Sequence, residues 1–201
     1  MAQEVKIDIN PVAYPTSSKT AEFDPPKIVV MAGDLVYWCN NDTRYVHQPK
    51  PLSGADNAWV TAPISVKLDD LPGTSNTTSF TSGTTLNGVL YVCTQHSGES
   101  GTIIAVNNIN IKNLPGALPG TPQAAFAPGK QTLGLGEAFV WSNNDVTAHL
   151  PAPSASQQNA WFSAPIQPGQ KSEVFFFPQY NPNLTYVCAL HPNETGIIVV
   201  Y

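Results

Sequence analysis

Histidine is scarce in this chain, with four residues in 201, at His47, His96, His149 and His191. Any multinuclear cluster or hydrolytic scheme that needs more imidazoles is excluded. Methionine is scarcer, at Met1 and Met31 only, and neither lies in the segments that hold the histidines. Cysteine occurs three times, as Cys39, Cys93 and Cys188, too few for the disulfide framework of a small secreted scaffold. Charged residues make up 11% of the chain and the formal net charge is −5. That charge divides into −4 through Val106 and −1 beyond it. No basic stripe exists to meet phosphates, which excludes a nucleic-acid partner. No apolar run approaches the length of a membrane span. Long amphipathic helical windows are absent as well, and no signal peptide is visible, because Met1-Ala2-Gln3-Glu4 leads straight into a strand-like run.

What is present is β-forming sequence cut into short pieces. Nineteen prolines and 14 glycines punctuate runs rich in Val, Ile, Tyr and Phe, the pattern of an all-β sandwich rather than of βαβ units. The strand-like runs are Val5–Ile9, Lys27–Val30, Asp34–Cys39, Gly88–Cys93, Thr102–Val106, Asn108–Lys112, Ala138–Ser142, Glu173–Phe177, Leu184–Cys188 and Ile197–Val200. The Thr/Ser/Gly stretch Gly73–Thr85 reads as loop.

The chain also repeats itself. Phe23, Pro25, Gly33, Trp38 and Asp42 match Phe126, Pro128, Gly136, Trp141 and Asp145 at an offset of 103. The register then slips by one, so that His47, Pro49, Pro51, Asn57-Ala58-Trp59 and Ala62-Pro63-Ile64 match His149, Pro151, Pro153, Asn159-Ala160-Trp161 and Ala164-Pro165-Ile166 at 102. Tyr91-Val92-Cys93, His96, Glu99 and Gly101 match Tyr186-Val187-Cys188, His191, Glu194 and Gly196 at 95, after an insertion around Leu68–Thr84 in the first copy. Two tandem domains of one fold follow, 1–106 and 107–201, each long enough for its own core. The last strand of the first copy runs almost directly into the first strand of the second, which favours a close, semi-rigid pairing of the two.

All four histidines and two of the three cysteines fall into this scheme. A strand ending in Cys, a Cys-x-x-His loop and a return strand place thiolate and imidazole side by side at one end of a sandwich. The upstream histidine follows a strand end, Trp-x-Asn-Asn-Asp in the first copy and its partner in the second, that can reach the same pole. One thiolate with two imidazoles is the donor set of trigonal copper sites, whose axial fourth ligand is usually a weak thioether.

On these residues both copies resemble cupredoxins, the plastocyanin, amicyanin and pseudoazurin group of copper proteins. The resemblance rests on Phe23-x-Pro25, Gly33-Asp34-x-Val36-x-Trp38-x-Asn40-Asn41-Asp42, His47 and Tyr91-x-Cys93-x-x-His96, with their second-copy partners, and it covers essentially the whole chain. It implies two Greek-key β-sandwich domains and two mononuclear copper sites, His47, Cys93 and His96 in one and His149, Cys188 and His191 in the other. It also implies electron transfer without enzymatic activity, a redox partner protein, and a periplasmic or extracellular location in a trimmed form carrying an added Met1.

Two departures from the family pattern matter. Short-loop cupredoxins resemble Cys-x-x-His-x-x-Met, and Glu99 and Glu194 stand where that Met would be. An axial carboxylate is a hard, anionic donor that favours Cu(II) and lowers the potential; a similar Cys/His/His/Glu set occurs in the red copper protein nitrosocyanin. A solvated loop carboxylate is the alternative at both positions. The second departure is Gln48 and Leu150 after the upstream histidines, where many family members have an Asn that steadies the cysteine loop. Trp38, Trp59, Trp141 and Trp161 read as packing anchors. Cys39, whose counterpart is Ser142, reads as a small buried hydrophobe outside any disulfide.

The ligand count narrows the function. Multicopper oxidases and two-domain nitrite reductases on this fold need further histidines, and here none are left. Electron transfer, copper carriage or storage, and a zinc-binding structural sandwich remain, since Cys/His/His/Glu also suits tetrahedral Zn(II). Apolar Ala189, Leu190 and Pro192 flank the second loop histidine, where Thr94, Gln95 and Ser97 flank the first. In the family an apolar patch at that place receives redox partners, which points to docking at Leu190 and Pro192.

Overall fold

The computed structural model describes residues 2–52, 59–117, 121–154, 161 and 163–201. Met1 and the repeat positions Asn57, Ala58, Asn159 and Ala160 lie outside the described residues. Among the described residues there is no helix, and so none long and apolar enough to cross a membrane. The chain is all-β, two tandem β-sandwiches in compact units Met1–Ala105 and Val106–Tyr201.

In the first unit, β1 (Glu4–Pro11) pairs antiparallel with β2 (Ala21–Asp24) and parallel with β4 (Leu35–Asn40). A second sheet carries β3 (Lys27–Met31), the first part of β9 (Ser100–Asn113), β8 (Val89–Cys93) and β5 (Pro49–Pro51). The second unit repeats the plan. The latter part of β9 pairs antiparallel with β10 (Ala124–Ala127) and parallel with β12 (Phe139–Asn144). Its other sheet orders β11 (Lys130–Leu133), β15 (His191–Val200), β14 (Asn181–Cys188) and β13 (Pro151–Pro153).

Three details differ from the sequence reading. The runs Thr102–Val106 and Asn108–Lys112 are one strand, β9. No Gly or Pro interrupts them, and Ile103, Ala105, Ile109 and Ile111, which share one parity along the strand, are all buried. The stretch Gly73–Thr85 is not wholly loop: β6 (Gly73–Thr74) and β7 (Thr78–Ser79) pair with β4 and satisfy its outer backbone edge. Glu173–Phe177, in contrast, forms no strand. Within it Phe175 makes an isolated bridge to Phe139, and just before it Lys171 bridges Ser142; its aromatic residues Phe175 and Phe177 pack on the core and Pro178, lacking an N–H, ends the segment.

Each core is built on one tryptophan. Trp38 is fully buried, stacks on Trp59 at 4.8 Å and meets Tyr91 edge-on at 5.4 Å. Trp141 repeats this with Trp161 at 5.2 Å and Tyr186 at 5.6 Å. Such aromatic pairs each add about 0.5–1.5 kcal/mol beyond the area they bury. Tyr91 and Tyr186 lie opposite Gly101 and Gly196 in their ladders, and a Cβ at either glycine would collide with the tyrosine ring. Glycine there lets the ring lie flat across the neighbouring strand and fixes the register two residues before the cysteine. Gly33 and Gly136 open the turns into β4 and β12 at φ +97° and +75°, angles at which a side chain is strained.

Candidate metal centres

At the end of β4 the buried Asn40 organises the chain that follows. Its amide donates to the carbonyls of Tyr45, Ile64 and Ser65 at 3.0–3.2 Å, and its oxygen accepts the Asp42 N–H at 2.9 Å. Asn143 does the same with Thr147, Ile166 and Asp145. The histidine that follows is pinned by a two-bond bridge, His47 with Ile64 and His149 with Ile166. The repeated Trp-x-Asn stretch is therefore a device for delivering a rigid imidazole to the sandwich pole.

The cysteine reaches the same pole from the other sheet. Cys93 ends β8 and its Sγ accepts the Gln48 N–H at 3.4 Å; Cys188 ends β14 and accepts from Leu150 N–H at the same distance. Cys93 Sγ lies 3.7 Å from the Nδ1 atoms of both His47 and His96. In the second domain Cys188 Sγ lies 3.6 Å from His149 Nδ1 and 3.5 Å from His191 Nδ1.

Both glutamates turn inward. Glu99 is 1% and Glu194 3% exposed, which rules out solvated loop carboxylates. Glu99 Oε2 lies 2.8 Å from His47 Nδ1, and Glu194 Oε2 lies 2.9 Å from His149 Nδ1. The four donors of each set, His47, Cys93, His96 and Glu99 or His149, Cys188, His191 and Glu194, all lie within 4.8 Å of one another. Metal bonds of about 2.3 Å to sulfur and about 2.0–2.1 Å to nitrogen, opened to about 110–120°, hold S and N about 3.6–3.8 Å apart. The observed separations fit a single ion bound by thiolate and both imidazoles without rearrangement.

The other sequence-derived positions also have places. Leu190 and Pro192 are exposed beside the half-buried His191. Cys39 is buried, and all three cysteines are free. Gln48 takes on the bracing work expected of an Asn: its Oε1 accepts from Thr94 Oγ1 at 2.9 Å and its Nε2 donates to the Thr61 carbonyl. Leu150 braces through backbone alone, accepting the Ala189 N–H at 2.8 Å.

The residues behind the ligands were not assigned from sequence. His149 Nε2 lies 2.8 Å from Asp145 Oδ2, whereas His47 Nε2 is 3.5 Å from Asp42 Oδ2 and has no hydrogen-bond partner among the described residues. Glu99 Oε1 accepts three bonds, from Thr20 N, Thr20 Oγ1 and Ala21 N at 2.8–2.9 Å. Among the described residues Glu194 Oε1 accepts from Ala124 N at 3.1 Å. The repeated aspartate was visible as a motif but not as a histidine partner. Thr20 gave no repeat signal, since Gln123 stands at its place.

These contacts shift the titrating groups. Burial alone would lower the His47 pKa and raise that of Glu99, but the hydrogen bonds prevail. Cys93 and Glu99 lift His47 to about 9, and His47, Thr20 and Ala21 hold Glu99 down at about 2. Asp145 is held at about 2 against the effect of its burial, chiefly by His149 and Thr147. Burial pushes the Cys188 thiol up, partly offset by the N–H groups of Leu150, Leu190 and His191. Without metal, His47 and Glu99 therefore form a buried ion pair. The contribution of His47 is complete below its ordinary 6.5 and is lost as pH rises through about 9; that of Glu99 is complete above 4.5 and is lost as pH falls through about 2. Urea unfolding of metal-stripped protein is expected to show the first domain weaker at pH 9.5 than at pH 6, and an unchanged or higher midpoint at pH 9.5 contradicts the pair.

The two β-sandwiches with one His/Cys/His/Glu group apiece match the cupredoxin resemblance of the sequence. No protein-family model matches the chain, and no curated protein matches it. Among solved structures it is similar to a purple cupredoxin from Nitrosopumilus maritimus, at 22% identity over 47% of this chain and 98% of that one, with a TM-score of 0.40. It is also similar to a proline-to-glycine variant of amicyanin in its reduced Cu(I) form at pH 4, at 16% identity over 45% of this chain and 91% of that one, TM-score 0.36. A Cu(I) methionine-to-glutamine variant of amicyanin is similar at 17% identity over 47% and 82%, TM-score 0.36.

Proposed function

We propose that this chain is a copper-binding electron carrier with one mononuclear centre per domain, held by His47, Cys93, His96 and Glu99 and by His149, Cys188, His191 and Glu194. The observation that carries the reading is the convergence, twice, of one thiolate, two imidazole Nδ1 atoms and one buried carboxylate at single-ion spacing. Copper at such a site supplies a one-electron Cu(II)/Cu(I) couple. The chain's own part is to hold the donors still. The upstream histidine is held by a backbone bridge and the cysteine by its place at a strand end, so a change of charge at the pole meets a frame that does not rearrange.

Access favours electron transfer over catalysis. The cysteine, carboxylate and upstream histidine are buried in both domains. Only the loop histidines reach the surface, with side chains 11% exposed at His96 and 36% at His191. An imidazole edge passes an electron, and no histidine remains for a second cluster. A periplasmic or extracellular setting with a soluble redox partner suits such a carrier.

Metal analysis and an optical spectrum test the reading. Two coppers per chain, with intense visible colour bleached reversibly by a reductant, are expected; tight colourless binding would point instead to a copper carrier or a zinc-holding sandwich. The exposed apolar rim of Ala189, Leu190 and Pro192 around His191 is the proposed docking face. Leu190→Lys is expected to slow electron exchange at the second centre by about tenfold or more, as a rim charge does to association, and to leave the first unchanged. Equal rates for variant and parent in stopped-flow reduction would remove this face from consideration.

A further inference from the structure

The two centres have the same four ligands, but the groups behind the ligands differ. Between the matched aspartate and the upstream histidine the first domain has one residue more, which is where the repeat offset drops from 103 to 102. That residue moves the carboxylate. Asp145 Oδ2 takes a hydrogen bond from His149 Nε2 at 2.8 Å, whereas Asp42 stands 3.5 Å from a His47 Nε2 that makes no hydrogen bond among the described residues. Instead, Asp42 Oδ1 accepts the Arg44 and Tyr45 N–H groups. On the glutamate side the asymmetry is reversed, with three donors on Glu99 Oε1 and, among the described residues, a single longer one on Glu194 Oε1.

Resting on the copper reading above, we propose that the two centres have unequal reduction potentials, the first domain holding the higher, with Asp145 and Thr20 as the positioning residues that set the gap. An imidazole that donates its far N–H to a carboxylate gains electron density at Nδ1 and becomes a stronger ligand for the more highly charged Cu(II). Asp145 gives His149 that character, and His47 lacks it. A carboxylate whose charge is drawn off by three donors is a poorer ligand than one with a single long bond. Glu99 is thereby weakened and Glu194 left strong. Both differences favour Cu(II) in the second domain and Cu(I) in the first. The greater exposure of His191 acts the other way, since water favours the more negative reduced site. It concerns one ring edge, while the other three ligands are buried in both domains. The first electron given to the fully oxidised protein therefore resides in the first domain.

Full-length single-centre proteins separate the two signals. Cys188→Ser keeps the first centre and Cys93→Ser the second, and each is titrated potentiometrically with optical and EPR detection. The first centre is expected to be reduced preferentially by tenfold or more, equivalent to about 59 mV for a one-electron couple. Asp145→Asn, in the Cys93→Ser protein, is expected to raise the second potential by about tenfold in reduction ratio, within the range that such outer partners command. Asp145→Glu is expected to restore part of the parent value. Thr20→Val, in the Cys188→Ser protein, keeps both backbone donors, loses the hydroxyl and lowers the first potential. Equal potentials in the two single-centre proteins, or the second above the first, overturn the proposal even if a variant fails to fold. Potentials that stay put in folded Asp145→Asn and Thr20→Val remove these residues as its cause. Single-centre proteins that bind no coloured copper take down the carrier reading itself, a different result from coloured centres of equal potential.

Discussion

Cys93→Ser is expected to bind one copper instead of two and to lose one of two overlapping charge-transfer bands, while Cys188→Ser loses the other. The thiolate is the only soft, covalent donor in each set, and the visible colour of a Cys/His/His copper site comes from sulfur-to-copper charge transfer. A serine hydroxyl is a hard donor that does not ionise near neutral pH, so neither the affinity nor the colour survives. The fold should tolerate the change. Cys93 and Cys188 are buried, and their sulfurs accept backbone N–H groups, that of Gln48 at Cys93 and those of Leu150, Leu190 and His191 at Cys188, bonds that oxygen can take in place of sulfur. Metal stoichiometry by elemental analysis and the visible spectrum decide the matter together. Retention of two strongly coloured coppers in either variant would falsify the ligand assignment.

Much of this was legible in the sequence because function had duplicated it. A lone Cys-x-x-His is ambiguous; two, each with a histidine upstream in a matching context, specify a pole. The positions of Trp38, Trp141, Tyr91 and Tyr186 were legible for the same reason: all four rings are buried, and a tyrosine facing a glycine must recur wherever the ladder recurs. The strand boundaries were less so. β6 and β7 are made of Gly, Thr and Ser that carry no apolar period, and they are strands only because β4 offers an unpaired edge. Glu173–Phe177 has the residue types of a strand, yet its aromatic residues are held by core packing and leave only bridging hydrogen bonds. Propensity is local, and pairing is decided by what the neighbouring strand leaves open.

The partners of the ligands were hidden for a related reason. An aspartate four or five residues before a histidine says nothing about whether the two touch, and one inserted residue changes 2.8 Å to 3.5 Å. Thr20 lies 79 residues from the carboxylate it holds. A hydrogen bond across sheets leaves no spacing signal in one sequence, and repeats reveal only what both copies keep.

Replacing Glu99 or Glu194 by Met is expected to raise the potential of that domain's centre by on the order of 100 mV or more and to move its spectrum toward blue. The carboxylate is anionic and hard, so it binds Cu(II) far better than Cu(I), and each tenfold of that preference amounts to about 59 mV. A thioether of similar length is neutral and weakly held, and the preference disappears. Burial makes the test sharp, because Glu99 at 1% and Glu194 at 3% exposure sit in a space that excludes water and that methionine can fill without exposing a charge. In the first domain the substitution also leaves the Thr20 and Ala21 donors without their acceptor. Unfolding of Glu99→Met is therefore to be checked separately, and Glu194→Met, which among the described residues abandons the Ala124 N–H, is the cleaner measurement. Protonation should mimic the substitution from the opposite direction. A bound metal favours the carboxylate anion, so the parent spectrum is expected to stay constant from pH 7 to below the ordinary glutamate value of about 4.3 and to turn toward blue only at lower pH. If the double Glu→Met protein keeps the parent's potential and colour throughout that range, the glutamates hold the histidines in place and the metal is bound by Cys and two His alone.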